Sequence, residues 1–133
     1  MANRQIKVNK TCLDEAVADG IGTPINVSDY RHVILQLGTT DSAAAVVKFQ
    51  GSSSDDAPTF SATQTPTNHW DYIGVYDYEP ADIIEGDTGI TLSGADDTRT
   101  LMVNSDGIDW INAIVSSWSA GKITVKVKGF NNI

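Results

Sequence analysis

The side chains able to do chemistry are few and scattered. His32 and His69 are the only imidazoles. Catalysis by histidine needs a nucleophile to activate or an acid to orient the ring. Asp29 stands near His32 and Asp71 near His69, but neighbours along a strand are sent to set faces rather than into a shared site. No Gly-x-Ser-x-Gly elbow, His-Glu-x-x-His helix or Gly-rich phosphate loop occurs. Both histidines read as polar surface residues, and no catalytic residue is assigned. Cys12 is the single cysteine, which rules out an intrachain disulfide and a thiolate zinc cluster within one chain. Beside the apolar Leu13 it reads as a half-buried structural thiol.

The acidic groups are the next candidates. Asp55-Asp56, Asp96-Asp97 and residues 104–109 are rich in oxygen, and calcium takes six to eight oxygen ligands. The last stretch is too short for a calcium loop and lacks the distal bidentate glutamate, whereas Asp-Gly is a common hairpin turn. The turn reading is preferred, and no metal or cofactor is expected. Aromatic residues form a more pointed pattern. Trp70, Tyr72, Tyr76 and Tyr78 alternate with Asp71, Ile73, Val75 and Asp77. Such a stripe can fill a core, cover a subunit interface or stack on sugar rings. With Ile6 and Val8 of the first alternating run and Phe60 of a long loop, these four aromatics are the interface candidates.

The elements that must position these residues are strands. Ile111, Ala113 and Val115 share one face of an alternating run, and Ile123, Val125 and Val127 share a face opposite Lys122, Lys126 and Lys128. The polar, Gly121-containing segment between them predicts an antiparallel hairpin over residues 110–130. Residues 30–50 repeat the pattern, with turn chemistry at 38–42, and predict a second hairpin. The three lysines read as solvated protection of a sheet edge. Residues 13–19 read as an acidic loop with one turn, and residues 51–67 as a long polar loop relieved by Phe60. About eight or nine short strands and no helix follow, which predicts an all-β protein: an antiparallel β-sandwich, jelly-roll or Greek-key-like.

The chain has 133 residues, 41% hydrophobic and 20% charged, which suits one globular domain spanning 1–133. Seventeen acidic against nine basic residues give a net charge of −8, which argues against binding a phosphate backbone. No apolar run reaches the eighteen or so residues of a membrane helix, and the N-terminus lacks an apolar signal core. A protein made in a cytosol, without nucleic-acid or membrane partners, is the expectation.

One resemblance adds to this. The succession Val46-Val47-Lys48-Phe49-Gln50-Gly51-Ser52, an acidic linker to Phe60-Ser61, then Asn68-His69-Trp70-Asp71-Tyr72-Ile73 is similar to small β-sandwich virion proteins of tailed bacteriophages. Gly86-Asp87-Thr88-Gly89-Ile90, Val103-Asn104, Asp109-Trp110, Val125-Lys126-Val127 and the Phe130-Asn131-Asn132 ending resemble that group as well. The likeness covers roughly residues 30–132 and rests on strand-and-turn motifs. It implies a non-enzymatic capsid decoration (cement) protein, synthesised in the host cytoplasm. Such a protein binds the major capsid protein on the virion exterior, as a trimer or dimer. The alternative is a carbohydrate-binding module or tail component using the aromatic strand at 70–78. Residues 1–22 resemble the group least, and are expected to be an N-terminal arm contacting a neighbour or an edge strand of their own sheet.

Overall fold

Alternation of apolar and polar residues dominates the sequence, and the computed structural model describes residues 4–132, with the side chains of 8–131, as strands joined by turns. The strands are β1 (Arg4–Ala16), β2 (Gly20–Ile21), β3 (Ile25–Asn26), β4 (His32–Ser52) and β5 (Asp71–Tyr72). They continue with β6 (Val75–Asp77), β7 (Asp82–Ile84), β8 (Ile90–Ser93), β9 (Thr98–Val103) and β10 (Trp110–Asn132). All pairings are antiparallel, and the described residues include no helix. The fold class is therefore all-β, as the alternation predicts.

The two predicted hairpins do not form. Residues 32–52 are one strand of 21 residues and residues 110–132 one of 23. The two pair with each other from Trp110↔Ser52 to Phe130↔His32. The turn-like segments bend these strands instead of reversing them. Between Ser116 and Ala120, β10 carries three residues where β4 has only Ala45; next, β4 carries three where β10 has only Gly121. Each excess is two residues, so the period of two is preserved and the inward face stays inward across the bend. Positive φ at Asp41, Ser42, Ser117 and Gly121 makes the bend. At Gly121 a side chain would run into the backbone of Ala43, so the close crossing of the two strands needs glycine there.

The bend divides the sheet into halves. In the first, the strand order is β1-β10-β4-β9-β6-β7. In the second, the other ends of β10 and β4 pair with β2 and β3 on one side and with β5 and β8 on the other. Val33, Leu35 and Leu37 of the first half and Ala45, Val47 and Phe49 of the second join Ile111, Val115, Val125 and Val127 in one buried cluster. Among the described residues there are ten strands, against the expected eight or nine short ones, and two of them exceed twenty residues.

Residues 4–16 are an edge strand of this sheet, paired with β10 from Arg4↔Asn132 to Ala16↔Ile123. Val8, Cys12 and Leu13 are core residues, so Val8 is withdrawn as an interface candidate and β1 as a free arm. The predicted loop at 13–19 is largely the end of this strand. Ile6 pairs through its backbone with Phe130; its side chain, like residues 1–3 of the predicted arm, lies outside the described ones. Three register shifts break the regularity of β1, and such bulges discourage another strand from adding to the free edge. Because β10 lies between β1 and β4, its lysines do not protect an edge, and the reading of Lys122, Lys126 and Lys128 as edge protection is corrected.

Cys12 is 4% exposed and its thiol donates to Asn112 Oδ1 at 3.1 Å. Burial pushes the thiol pKa up to about 11, against a smaller lowering by the Ala113 backbone hydrogen bond. The group favours the folded state while protonated, so its contribution is complete below pH 9.0 and is lost as pH rises toward about 11. Two consequences are expected. A thiol reagent at pH 8 should leave the folded protein unmodified but label it at once in denaturant. Between those two pH values the wild type should lose up to about 2–3 kcal/mol more stability than Cys12→Ala, read from paired urea melts.

Candidate functional site

The outward face of the first half is built by register. Strand pairing places Ile83, Tyr76, Met102, Ile34 and Lys128 in one row across β7, β6, β9, β4 and β10. The row beside it holds Thr100, Gln36 and Lys126, and Tyr78 joins its end by donating its backbone N–H to Thr100 O at 3.2 Å. Alternation puts these residues outward because Leu101, Leu35 and Val127, one position along, are buried. Ile83 is 72%, Tyr78 50% and Met102 42% exposed. The tyrosines are fixed against each other, ring centroids 5.2 Å apart and edge to face, and Tyr78 Oη donates to Met102 Sδ at 3.7 Å.

A concavity of about 700 Å³ opens on this face, lined by Ile34, Gln36, Tyr78, Thr100, Met102 and Lys128 with His32 and Phe130 at one end. His32 stacks on Phe130 at 5.2 Å between centroids. A shallower continuation reaches Thr98, Arg99 and Lys126. Among the described residues no carboxylate lines either hollow, although the chain carries 17 acidic residues. The arrangement combines apolar contact area, neutral hydrogen-bonding groups and lysine. It is suited to binding.

The other interface candidates go elsewhere. Phe60 is 2% and Trp70 7% exposed. The loop between β4 and β5 closes over them: Gln50 Nε2 donates to Phe60 O at 3.0 Å, Trp70 Nε1 to Ala62 O at 3.0 Å, and Ser52 Oγ to His69 O at 2.6 Å. Both rings are the small core of that loop, so neither is an interface residue. Tyr72 is half-buried, edge-on to Trp70 at 5.1 Å and under Lys48 Nζ at 5.0 Å. The predicted single strand at 70–78 is two short strands interrupted at Gly74, β5 in the second half and β6 in the first. The aromatic stripe therefore splits, and only Tyr76 and Tyr78 share the outward face of the first half. A sugar platform spanning all four rings is excluded by this placement.

Two of the three acidic clusters considered for calcium are engaged in turns and ion pairs. Asp96 accepts from the Ser42 backbone N–H at 2.9 Å, and Asp97 pairs with Arg99. In the 104–109 stretch Asn104 Oδ1 accepts from Asp106 N at 3.3 Å and Ser105 O from Ile108 N at 3.0 Å, which is a turn. Among the described residues no three His, Cys, Asp or Glu side chains come together as a metal site. His32 lines the outward concavity, whereas His69 lies with Asp55, Asp56 and Asn68 in a separate polar hollow.

The sequence reading missed an ion-pair cluster at the end of the first half. Arg99 donates through Nη1 to Asp77 at 2.6 Å and through Nε to Asp97 at 2.9 Å, with Glu79 at 3.2 Å. The Asp77 side chain is fully buried. Its hydrogen bond, chief among several causes, raises the Arg99 pKa above its ordinary value despite the cost of burial. The partners are 2, 20 and 22 positions from Arg99 in sequence, and the signal available was an aspartate on the inward side of an alternating strand.

No protein-family model matches this chain, and no curated protein does. Two solved structures share its fold. The SPBc2 prophage-derived protein YomS superposes with a TM-score of 0.70 at 11% identity, covering 98% of this chain and 96% of YomS. The PBSX exported protein XepA superposes with a TM-score of 0.69 at 16% identity, covering 96% of this chain. This chain spans 38% of the length of XepA.

Proposed function

We propose that this chain is a phage-associated interaction protein without catalytic activity, and specifically a capsid decoration protein. In this reading it is made in the host cytoplasm and docks on the major capsid protein of the assembled shell, as a trimer or dimer. The observation that carries the docking role is the outward row of Ile83, Tyr76, Met102 and Ile34 on one sheet face, in which Ile83 and Met102 are exposed and Tyr76 and Ile34 half-buried. Side chains of these types on a rigid face gain affinity without a large ordering cost. The phage reading is supported by the resemblance of the 46–73 motifs to virion proteins, and by the name of one fold neighbour, the prophage-derived YomS. Its mechanism is mass action: a ligand that binds only the mature shell stabilises it by RT ln(1 + [L]/Kd), and many copies multiply the effect.

A second reading has one observation in its favour, the word "exported" in the name of the XepA structure. On that reading the protein is phage-associated but works free of the particle, outside the cell. Sedimentation of purified particles separates the two. A decoration protein pellets in a fixed ratio to the major capsid protein and is released by shell disassembly. Recovery of the whole pool from the supernatant, with intact shells in the pellet, would remove the decoration reading in favour of the exported one.

A further inference from the structure

From the charge distribution around the outward concavity we infer the chemistry of its occupant: an acidic segment of a partner protein that carries an apolar side chain. This deepens the docking reading and rests on it. Lys126 and Lys128 point outward from β10, two residues apart on one face and thus roughly 7 Å apart along the strand. Neither has an ion-pair partner among the described residues. The described lining contains no carboxylate, and with Arg99 at the shallow end engaged by Asp77, Glu79 and Asp97 the two lysines are the charge this face offers in a chain of net charge −8. Such a face steers an acidic partner toward it.

The apolar part of the ligand is set by the opposite end of the hollow. Lys128, Ile34 and Met102 are cross-strand neighbours, and two strand spacings separate the lysine from Met102 by roughly 10 Å. Three residues of extended chain span that distance. One leucine or phenylalanine can therefore lie against the contacting pair Met102 and Tyr78 while a carboxylate three or four residues away reaches Lys128 or Lys126. Methionine and tyrosine suit such a seat, the first by adapting its shape and the second by offering area with little entropy to lose. A nucleic acid fits less well: half of the hollow is apolar, and phosphate binding needs more clustered cations than two free lysines.

The test is a titration of the ¹⁵N-labelled full chain with a blocked hexapeptide in which a leucine–phenylalanine pair is flanked on each side by two glutamates. Amide shifts are expected at Ile34, Gln36, Met102, Lys126 and Lys128. The Lys126→Glu/Lys128→Glu double variant should bind roughly tenfold more weakly, and the same peptide with lysine for glutamate should leave those amides in place. Equal responses to both peptides, no response to the acidic one, or tighter binding of a thymidine hexanucleotide at the same amides would overturn the inference. Undiminished pelleting of the double variant with particles would also overturn it while leaving the docking reading intact. A peptide response without any association with particles would uphold the inference and remove the capsid.

Discussion

Arg99→Ala is expected to destabilise the fold by about 3–5 kcal/mol, because it strands a buried carboxylate. Asp77 is wholly buried and gives one oxygen to Arg99 and the other to the Glu79 backbone N–H at 3.1 Å. Removing the guanidinium leaves that charge with a single amide donor. The reverse substitution is milder. In Asp77→Asn the arginine, 21% exposed, keeps Asp97 and Glu79, so the loss should stay near about 1–2 kcal/mol. Urea unfolding of both variants checks the asymmetry. Equal losses would show that the cluster acts as a surface ion pair and not as a buried charge held by one partner.

Val125→Asp is expected to abolish the cooperative melt. Val125 is completely buried in the part of β10 that follows the bend, opposite Leu13 of β1 and Leu37 of β4. A carboxylate there faces apolar side chains from both neighbours, and burying it unpaired costs several kcal/mol, comparable to the whole stability of a small domain. Lys126→Glu, one position along and exposed, should change stability by less than about 1 kcal/mol. Circular dichroism melts of the pair read this directly. Similar damage from both would mean that the inward and outward faces of β10 are misassigned.

These two sites also show what could be read in the sequence. The inward set of β10 was legible because alternation reports which side chains share a face, and burial of Ile123, Val125 and Val127 follows from it. What alternation cannot report is the partner. A polar segment with glycine has the same composition whether the chain reverses or bulges, and the choice fell to the pairing of β4 with β10, up to 98 positions apart. Local turn chemistry favoured two hairpins; a long ribbon won because each strand finds its hydrogen-bond partner in the other along nearly its whole length.

The candidate surface was partly legible for the same reason. Tyr76 and Tyr78 stood out as alternating aromatics, but Met102, Ile34 and Ile83 join them only through cross-strand register, which no local pattern carries. Phe60 and Trp70 looked like surface aromatics because their surroundings are polar in sequence. The loop that covers them is held by side-chain hydrogen bonds from Gln50 and Trp70 to its backbone carbonyls, groups whose targets depend on the closed loop. Arg99 and its carboxylates escaped notice because an ion pair has no period.

The central claim is that this protein works by binding through the outward face of β6, β9, β4 and β10. Its most direct test is particle pelleting with Met102→Asp and Tyr78→Asp beside a control, Asp56→Lys, in the separate polar hollow on the other side of the bend. All three replace surface side chains that are not in the core, so each variant should melt cooperatively within about 1 kcal/mol of the wild type. The account predicts that Met102→Asp and Tyr78→Asp stay in the supernatant while Asp56→Lys pellets like the wild type. Full pelleting of both face variants, with Asp56→Lys left in the supernatant, would contradict it.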